Sequence, residues 1–366
     1  MATLKQKLVQ LMTITMTGIL GTAAAQCPYE CSDDPFYYDP CRPDPACIEM
    51  YNMDYQFYAD FIWWQIAGSG LEFARLGGMQ TDPTLEVNER GCIISPKCHF
   101  EPGFRIGMMF NPCGSTWDIF GQYTYLYTNV STEESVELGV AGLRPLIWTH
   151  AYGGSTDLTL TRGEWQTHFN VFDFGFRKTY CIDNCFDFHP HLGIKAAWQK
   201  FQYDVTYQEM ESTSTTSQSV QRIHTDFNGV GLRGGFDAAW RFSSCFSIVG
   251  GTAFSTVYSE ICNTREDTFT DDINLNTPNT DINVNLKEEA CALIPVIELT
   301  FGIRYNEHIC GCYDVFAFVG WENQVWMDLN RNIYIQNTTT GNNNIQFGPS
   351  GHVTYQGLTA RFGIGF

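Results

Sequence analysis

Apolar and polar residues alternate with a period of two along at least ten separate stretches of this chain. That is the spacing of strands whose two faces meet different surroundings. The final stretch is the most regular. Leu358, Ala360, Phe362, Ile364 and Phe366 fall on one face, and Gly357, Thr359, Arg361, Gly363 and Gly365 on the other. Upstream, Phe57, Ala59, Phe61 and Trp63 oppose Asp60, and the phase survives Gly68-Ser69-Gly70, which predicts one long strand over 56–76. Similar strands are predicted from Phe104, Trp117, His168, His189, Gly229, Phe246, Ala292 and Asp314, each carrying aromatic or aliphatic residues on one side and charges on the other.

The connections sort by length. Those at 111–115, 179–187, 242–244 and 306–312 are short; those at 77–101, 128–164, 208–221, 259–289 and 327–352 are long and polar. Strict alternation of short turns and long loops is the signature of an outer-membrane barrel. The predicted fold is therefore all-β: a transmembrane antiparallel up-and-down β-barrel of about 12 strands, with ten to sixteen allowed. Ten are counted directly. Further hairpins are expected inside the long loops, at 272–286 and within 136–160, because long structureless loops are uncommon. Closure then requires the last strand to pair with 56–76, leaving Phe362, Ile364 and Phe366 on its lipid face and Phe366 as an anchor and a handle for the insertion machinery.

Lys5 and Lys7 before an apolar stretch from Leu8 to Leu20, and Ala23-Ala24-Ala25 after it, predict a signal peptide over 1–25. Residues 26–55 form a Cys/Pro-rich segment expected in the periplasm, and 56–366 the barrel with five long outer loops. Both termini are then periplasmic. A formal charge of −19 disfavours nucleic acid as a partner. Mean hydropathy is slightly polar, which a barrel tolerates because only alternate residues face lipid.

By parity, Asp60, Arg105, Asp118, Asp173, Arg177, Lys195, Arg233, Asp237, Arg241, Glu298, Arg304, Glu322 and Arg361 face the lumen. They are candidates either for a polar pore wall or for a salt-bridged, packed lumen without a channel; a larger strand number would favour the pore. Fourteen cysteines in an exported chain call for disulfides. The candidates are Cys27, Cys31, Cys41 and Cys47 in the N-terminal segment and Cys181, Cys185, Cys310 and Cys312 in short turns, bridging locally or to neighbouring envelope proteins. No cofactor, metal or catalytic constellation is expected: the eight histidines are scattered, and neither G-x-S-x-G nor H-E-x-x-H occurs.

The stretches ADFIWWQIAGSGLEFA (59–74), PGFRIGMMFNPCGSTWDIFGQYTYLYT (102–128), FNVFDFGFRKTY, HPHLGIKAAW, NGVGLRGGFDAAW (228–240), GWENQVW (320–326) and GLTARFGIGF, in this order, resemble the major outer membrane protein (porin) families of Legionella and of chlamydia-like bacteria. The resemblance implies a pore-forming outer-membrane barrel, and its cysteine richness a disulfide cross-linked envelope. Passive diffusion of small hydrophilic solutes is the function expected first. A structural envelope protein or adhesin with little channel activity is the alternative. Outer-membrane lipid is the expected surrounding, with homo-oligomerisation open.

Overall fold

A computed structural model describes residues 55–77, 91–111, 117–137, 143–147, 158–183, 185–210, 216–243, 245–271, 273, 279–309, 313–331, 333–337, 343–347 and 351–366. The predicted signal peptide, the N-terminal segment and Cys27, Cys31, Cys41, Cys47, Cys310 and Cys312 lie outside these residues.

Sixteen strands are described: β1 (Tyr55–Gly68), β2 (Ala74–Leu76), β3 (Cys92–Ile94), β4 (Phe100–Phe110), β5 (Trp117–Ser135), β6 (Leu143–Pro145), β7 (Leu160–Lys178), β8 (Tyr180–Asp183), β9 (Phe186–Met210), β10 (Thr216–Arg241), β11 (Phe246–Asp271), β12 (Asn279–Ile309), β13 (Tyr313–Asn330), β14 (Ile333–Asn337), β15 (Asn343–Phe347) and β16 (Gly351–Gly365). Ten of them close a ring in the order β1-β4-β5-β7-β9-β10-β11-β12-β13-β16, every pair antiparallel. Among the described residues β8 pairs only with β9, outside the ring. The seam falls where the alternation requires it. On β1, Asp60 stands opposite Arg361 of β16 on one side and opposite Arg105 of β4 on the other.

The outward face carries the apolar row. Exposed Tyr55, Trp117, Trp240, Phe246 and Phe366 ring the short-turn end, and Trp63, Tyr127, Trp198, Tyr258 and Trp321 form a second ring nearer the long loops. Aromatic rings at these two levels suit the water interfaces of a bilayer, with a mainly apolar band about 25 Å tall between them. Leu232 sits in that band, 70% exposed. Leu232→Arg is expected to cost about 2–4 kcal/mol, read as a shift in urea unfolding of the vesicle-inserted protein. A change under 0.5 kcal/mol would place this face away from lipid.

Three expectations need correction. Residues 56–76 are not one strand: the chain leaves the ring after Gly68, and Ala74–Leu76 joins a separate three-stranded sheet, β3-β2-β6. Leu71 and Phe73 keep the parity of Phe57, Phe61 and Trp63, yet those three are exposed on the outer face whereas Leu71 and Phe73 are buried. Of the hairpin expected at 272–286, residues 272 and 274–278 lie outside the described residues, and 279–286 belong to β12 rather than to a separate inserted strand. β11 and β12 instead continue beyond the band and pair with each other up to Asp271↔Asn279. Likewise β9 and β10 run through much of the predicted 208–221 loop and pair up to Met210↔Thr216. In 136–160 the only strand among the described residues is the three-residue β6.

Candidate functional site

All thirteen charges singled out from the sequence sit on the face opposite the exposed apolar row, as the burial alternation shows. At mid-height eight of them assemble into two clusters that reach over several strands of the ring. In the first, the Arg105 guanidinium donates to both carboxylate oxygens of Glu322 on β13 (2.9 and 2.8 Å) and to Asp60 (3.0 Å). Arg361 grips both oxygens of Asp60 from the other side (2.8 and 2.9 Å). In the second, Lys195 of β9 lies 2.8 Å from Asp173 and 2.9 Å from Glu298 of β12, while Arg233 bonds Glu298 at 3.0 Å. Four cations meet four anions, and Asp60, Arg105, Asp173 and Lys195 are at most 3% exposed. These side chains fill the waist of the lumen rather than line an opening. A ring of ten strands is narrow enough that long Arg, Lys and Glu side chains from strands three apart, β4 with β13 and β9 with β12, can touch. Buried charges persist only when paired this closely.

An aromatic layer covers the waist on its long-loop side. Trp64, Phe169, Phe227, Trp326 and Tyr355 are almost completely buried. The ring of Phe169 packs on Tyr355 at 4.2 Å and edge-on to Trp326 at 6.0 Å, and Phe227 meets Trp326 at 5.9 Å. Two of its three polar atoms are hydrogen-bonded, and Trp326 Nε1 is buried without a partner among the described residues. Trp64 Nε1 donates to Thr359 Oγ1 (3.1 Å) and the Tyr355 hydroxyl to Gln199 Oε1 (2.8 Å). Arg105 stands 5.5 Å from the centre of the Trp64 ring and Lys195 5.9 Å from that of Trp326, so the cations of the waist meet the negative faces of this layer.

Above it the segment after β1 turns into the barrel as a plug. Leu71 and Phe73 are buried, and Phe73 occupies the place that a side chain at Gly163 would need. Two hydroxyls of the far wall hold the plug's backbone: Tyr203 donates to Leu71 O at 2.7 Å and Tyr207 to Phe73 O at 2.5 Å. Strands β3 and β6 satisfy the rest, with Phe73 N bonded to Ile94 O and Leu146 N to Phe73 O. Arg331 and Ile333 are held at the other wall, where Arg265 donates to Ile333 O (2.6 Å) and Asn263 to Arg331 O. Burial there holds the Asp267 carboxyl above its usual range, although Arg265 bonds both its oxygens.

Towards the short-turn end the inward-facing charges are more exposed than those of the waist and form a vestibule. Arg177 binds Asp118 (2.9 Å), Arg241 binds Asp187 (2.8 Å) and His191 faces Asp237 (3.6 Å). Arg304 is stacked on Phe316 with its guanidinium carbon 4.3 Å from the ring centre. Tyr58 lies flat over Gly107 and Phe316 over Gly363, positions where any Cβ would collide with the ring. Several members of this interior were not singled out beforehand: Tyr58, Trp64, Gln122, Asp187, Trp326 and the plug residues. Parity alone would have placed Trp64 with Asp60, and Asp187 with Lys195. Of the short-turn cysteines, Cys181 is exposed and Cys185 buried.

A family model described as the Legionella pneumophila major outer membrane protein precursor matches residues 51–359, nearly the whole ring. The chain belongs to this family. Membership and fold together put it in the outer membrane, surrounded by lipid. No curated protein matches it. Among solved structures it is similar to the outer membrane protease OmpT of Escherichia coli (9% identity, 90% of this chain and 99% of that one, TM-score 0.36). A Pseudomonas aeruginosa FadL homologue (7%, 88% and 92%, TM-score 0.25) and the toluene transporter TodX of Pseudomonas putida (8%, 88% and 91%, TM-score 0.23) are similar over the same span. Scores this low carry no functional argument.

Proposed function

We propose that this member of the family is a structural outer-membrane barrel, closed to solutes in the form described, with both termini in the periplasm and the long loops outside. One observation carries the reading: the waist, where four cations and four anions pair within the lumen beneath an aromatic layer and a plug. Water barely reaches Asp60, Arg105, Asp173 and Lys195. Free diffusion of hydrophilic solutes would require several buried ion pairs to part at once, each break leaving a charge exposed to a low-dielectric interior. On this reading the protein performs no catalysis, and its long strands serve to hold surface loops above the bilayer. Exposed Cys92 and Cys98 suit the same envelope role.

The porin reading has its own support. The waist is ionic rather than hydrocarbon, and charged constrictions are how pores select. It would then be a gated pore, with the plug and the waist as its two barriers. Planar-bilayer recording of refolded protein separates the two. Silence, or rare brief openings, is expected at most insertions. Regular conductance steps at every insertion would sink the closed-barrel reading in favour of the porin.

A further inference from the structure

We infer that the vestibule at the short-turn end is a binding site for a small oxyanion of the phosphate class, centred on Arg304. This holds whether or not the barrel conducts. Arg304 differs from the other lumen cations. Each of those pairs with a carboxylate, whereas among the described residues Arg304 has no carboxylate within 4 Å. Its Nε donates to Asn306 Oδ1 at 2.6 Å and its plane rests on Phe316. Phe316 is in turn pressed against Gly363. The side chain is therefore held in place by a neutral amide and a ring, and neither terminal nitrogen makes a hydrogen bond among the described residues.

The charges around it are mixed, and their balance is what matters. Arg177 and Arg361 repel Arg304, while Asp314 and Asp187 attract it. Asp187, however, is already bonded by Arg241. Next along the wall, His189 is acted on by Arg177, Arg241 and Arg304 together. His191, only 4% exposed in its side chain, has no hydrogen-bond partner for Nε2 in this structure. The vestibule also admits more water than the centre of the waist: the side chains of Arg177 and Arg241 are 24% and 18% exposed, against 4% or less for Asp60 and Arg105. It is thus a wet pocket with low-dielectric walls, which focus the field of an incompletely neutralised cation. A planar guanidinium with open N–H edges suits an oxyanion that can accept two parallel hydrogen bonds.

Calorimetric titration of inorganic phosphate into the refolded full chain in detergent, at low ionic strength, tests this. Saturable binding to one site is expected. Arg304→Gln should weaken it at least tenfold, and Lys200→Gln, on the outer wall, should leave it unchanged. Should Arg304→Gln fail to refold, Arg304→Lys decides in the same way, because it keeps the charge and loses the fork. A parallel titration with glycerol phosphate distinguishes a free ion from a lipid headgroup as the natural ligand: equal or tighter binding favours the headgroup. Absence of saturable phosphate binding by the wild type, or equal affinity in the folded Arg304 variant, would overturn the site.

Discussion

Replacing Lys195 with methionine is expected to destabilise the barrel by about 3–5 kcal/mol, the range for breaking a buried ion pair. Methionine nearly matches the lysine stem in length, so packing against Trp326 is kept and charge is the main change. What remains is Arg233 facing two carboxylates, 3.0 Å from Glu298 and 3.7 Å from Asp173. One guanidinium cannot offset both. The double variant Lys195→Met with Glu298→Gln restores the balance, and should recover much of the loss because residues within one network couple strongly. Urea unfolding of vesicle-inserted protein, followed by tryptophan fluorescence, gives both numbers. A loss below about 1 kcal/mol for the single variant would mean that the waist is hydrated, and the closed-barrel reading would fall with it.

Phe73→Ala should release the plug without unfolding the ring. Truncating a fully buried phenylalanine costs about 3–5 kcal/mol, and here the loss falls on a local unit. The plug is tied to the wall by two tyrosine hydroxyls and by the short sheet β3-β2-β6, whereas the ring keeps its own ladders. Opening would thus become at least a hundredfold more frequent, since proteolysis follows the population of the open form. The readout is trypsin cleavage after Arg75 and Lys97, with heat-modifiable gel mobility reporting that the ring persists. Tyr207→Phe, which removes one hydrogen bond, should move in the same direction by about 1 kcal/mol. Unchanged cleavage in the phenylalanine variant would show that this segment does not owe its position to Phe73.

The ring could be read from the sequence because one physical rule acts on every strand: lipid outside demands apolar residues at alternate positions. That rule gave the seam between Gly357–Phe366 and the strand beginning at Gln56, and the inward set from Asp60 to Arg361. It fails where both faces are wet. Above the outer aromatic ring, β9 to β12 carry polar residues such as Lys200, Asp226 and Glu260 on their outer face, so their extensions read as loop. The rule is also blind to what meets across the lumen. Leu71 and Phe73 kept the phase of β1, yet they belong to a plug whose partners Tyr203 and Tyr207 lie about 130 positions away. Nor could alternation decide between an open wall and a filled one. That depended on ten strands bringing Lys195 within reach of Glu298, and Arg105 within reach of Glu322.

The seam strand also sets an order of events. β1 and β16 are joined by contacts between residues some three hundred positions apart, such as Asp60 to Arg361 and Trp64 to Thr359. Hairpins such as β9–β10 and β11–β12 close short loops and bear little of that entropic cost, so they can form early. Asp60 needs cations from both flanking strands, one of which follows it in sequence while the other ends the chain. Until the ends meet, half of its partners are missing and a carboxylate faces the nascent core incompletely neutralised. Joining the ends therefore does two things in one step: it removes the last open edge and completes the charge balance of the interior. Asp60 acts as a latch on the circle, and a chain that had closed out of register could not set it.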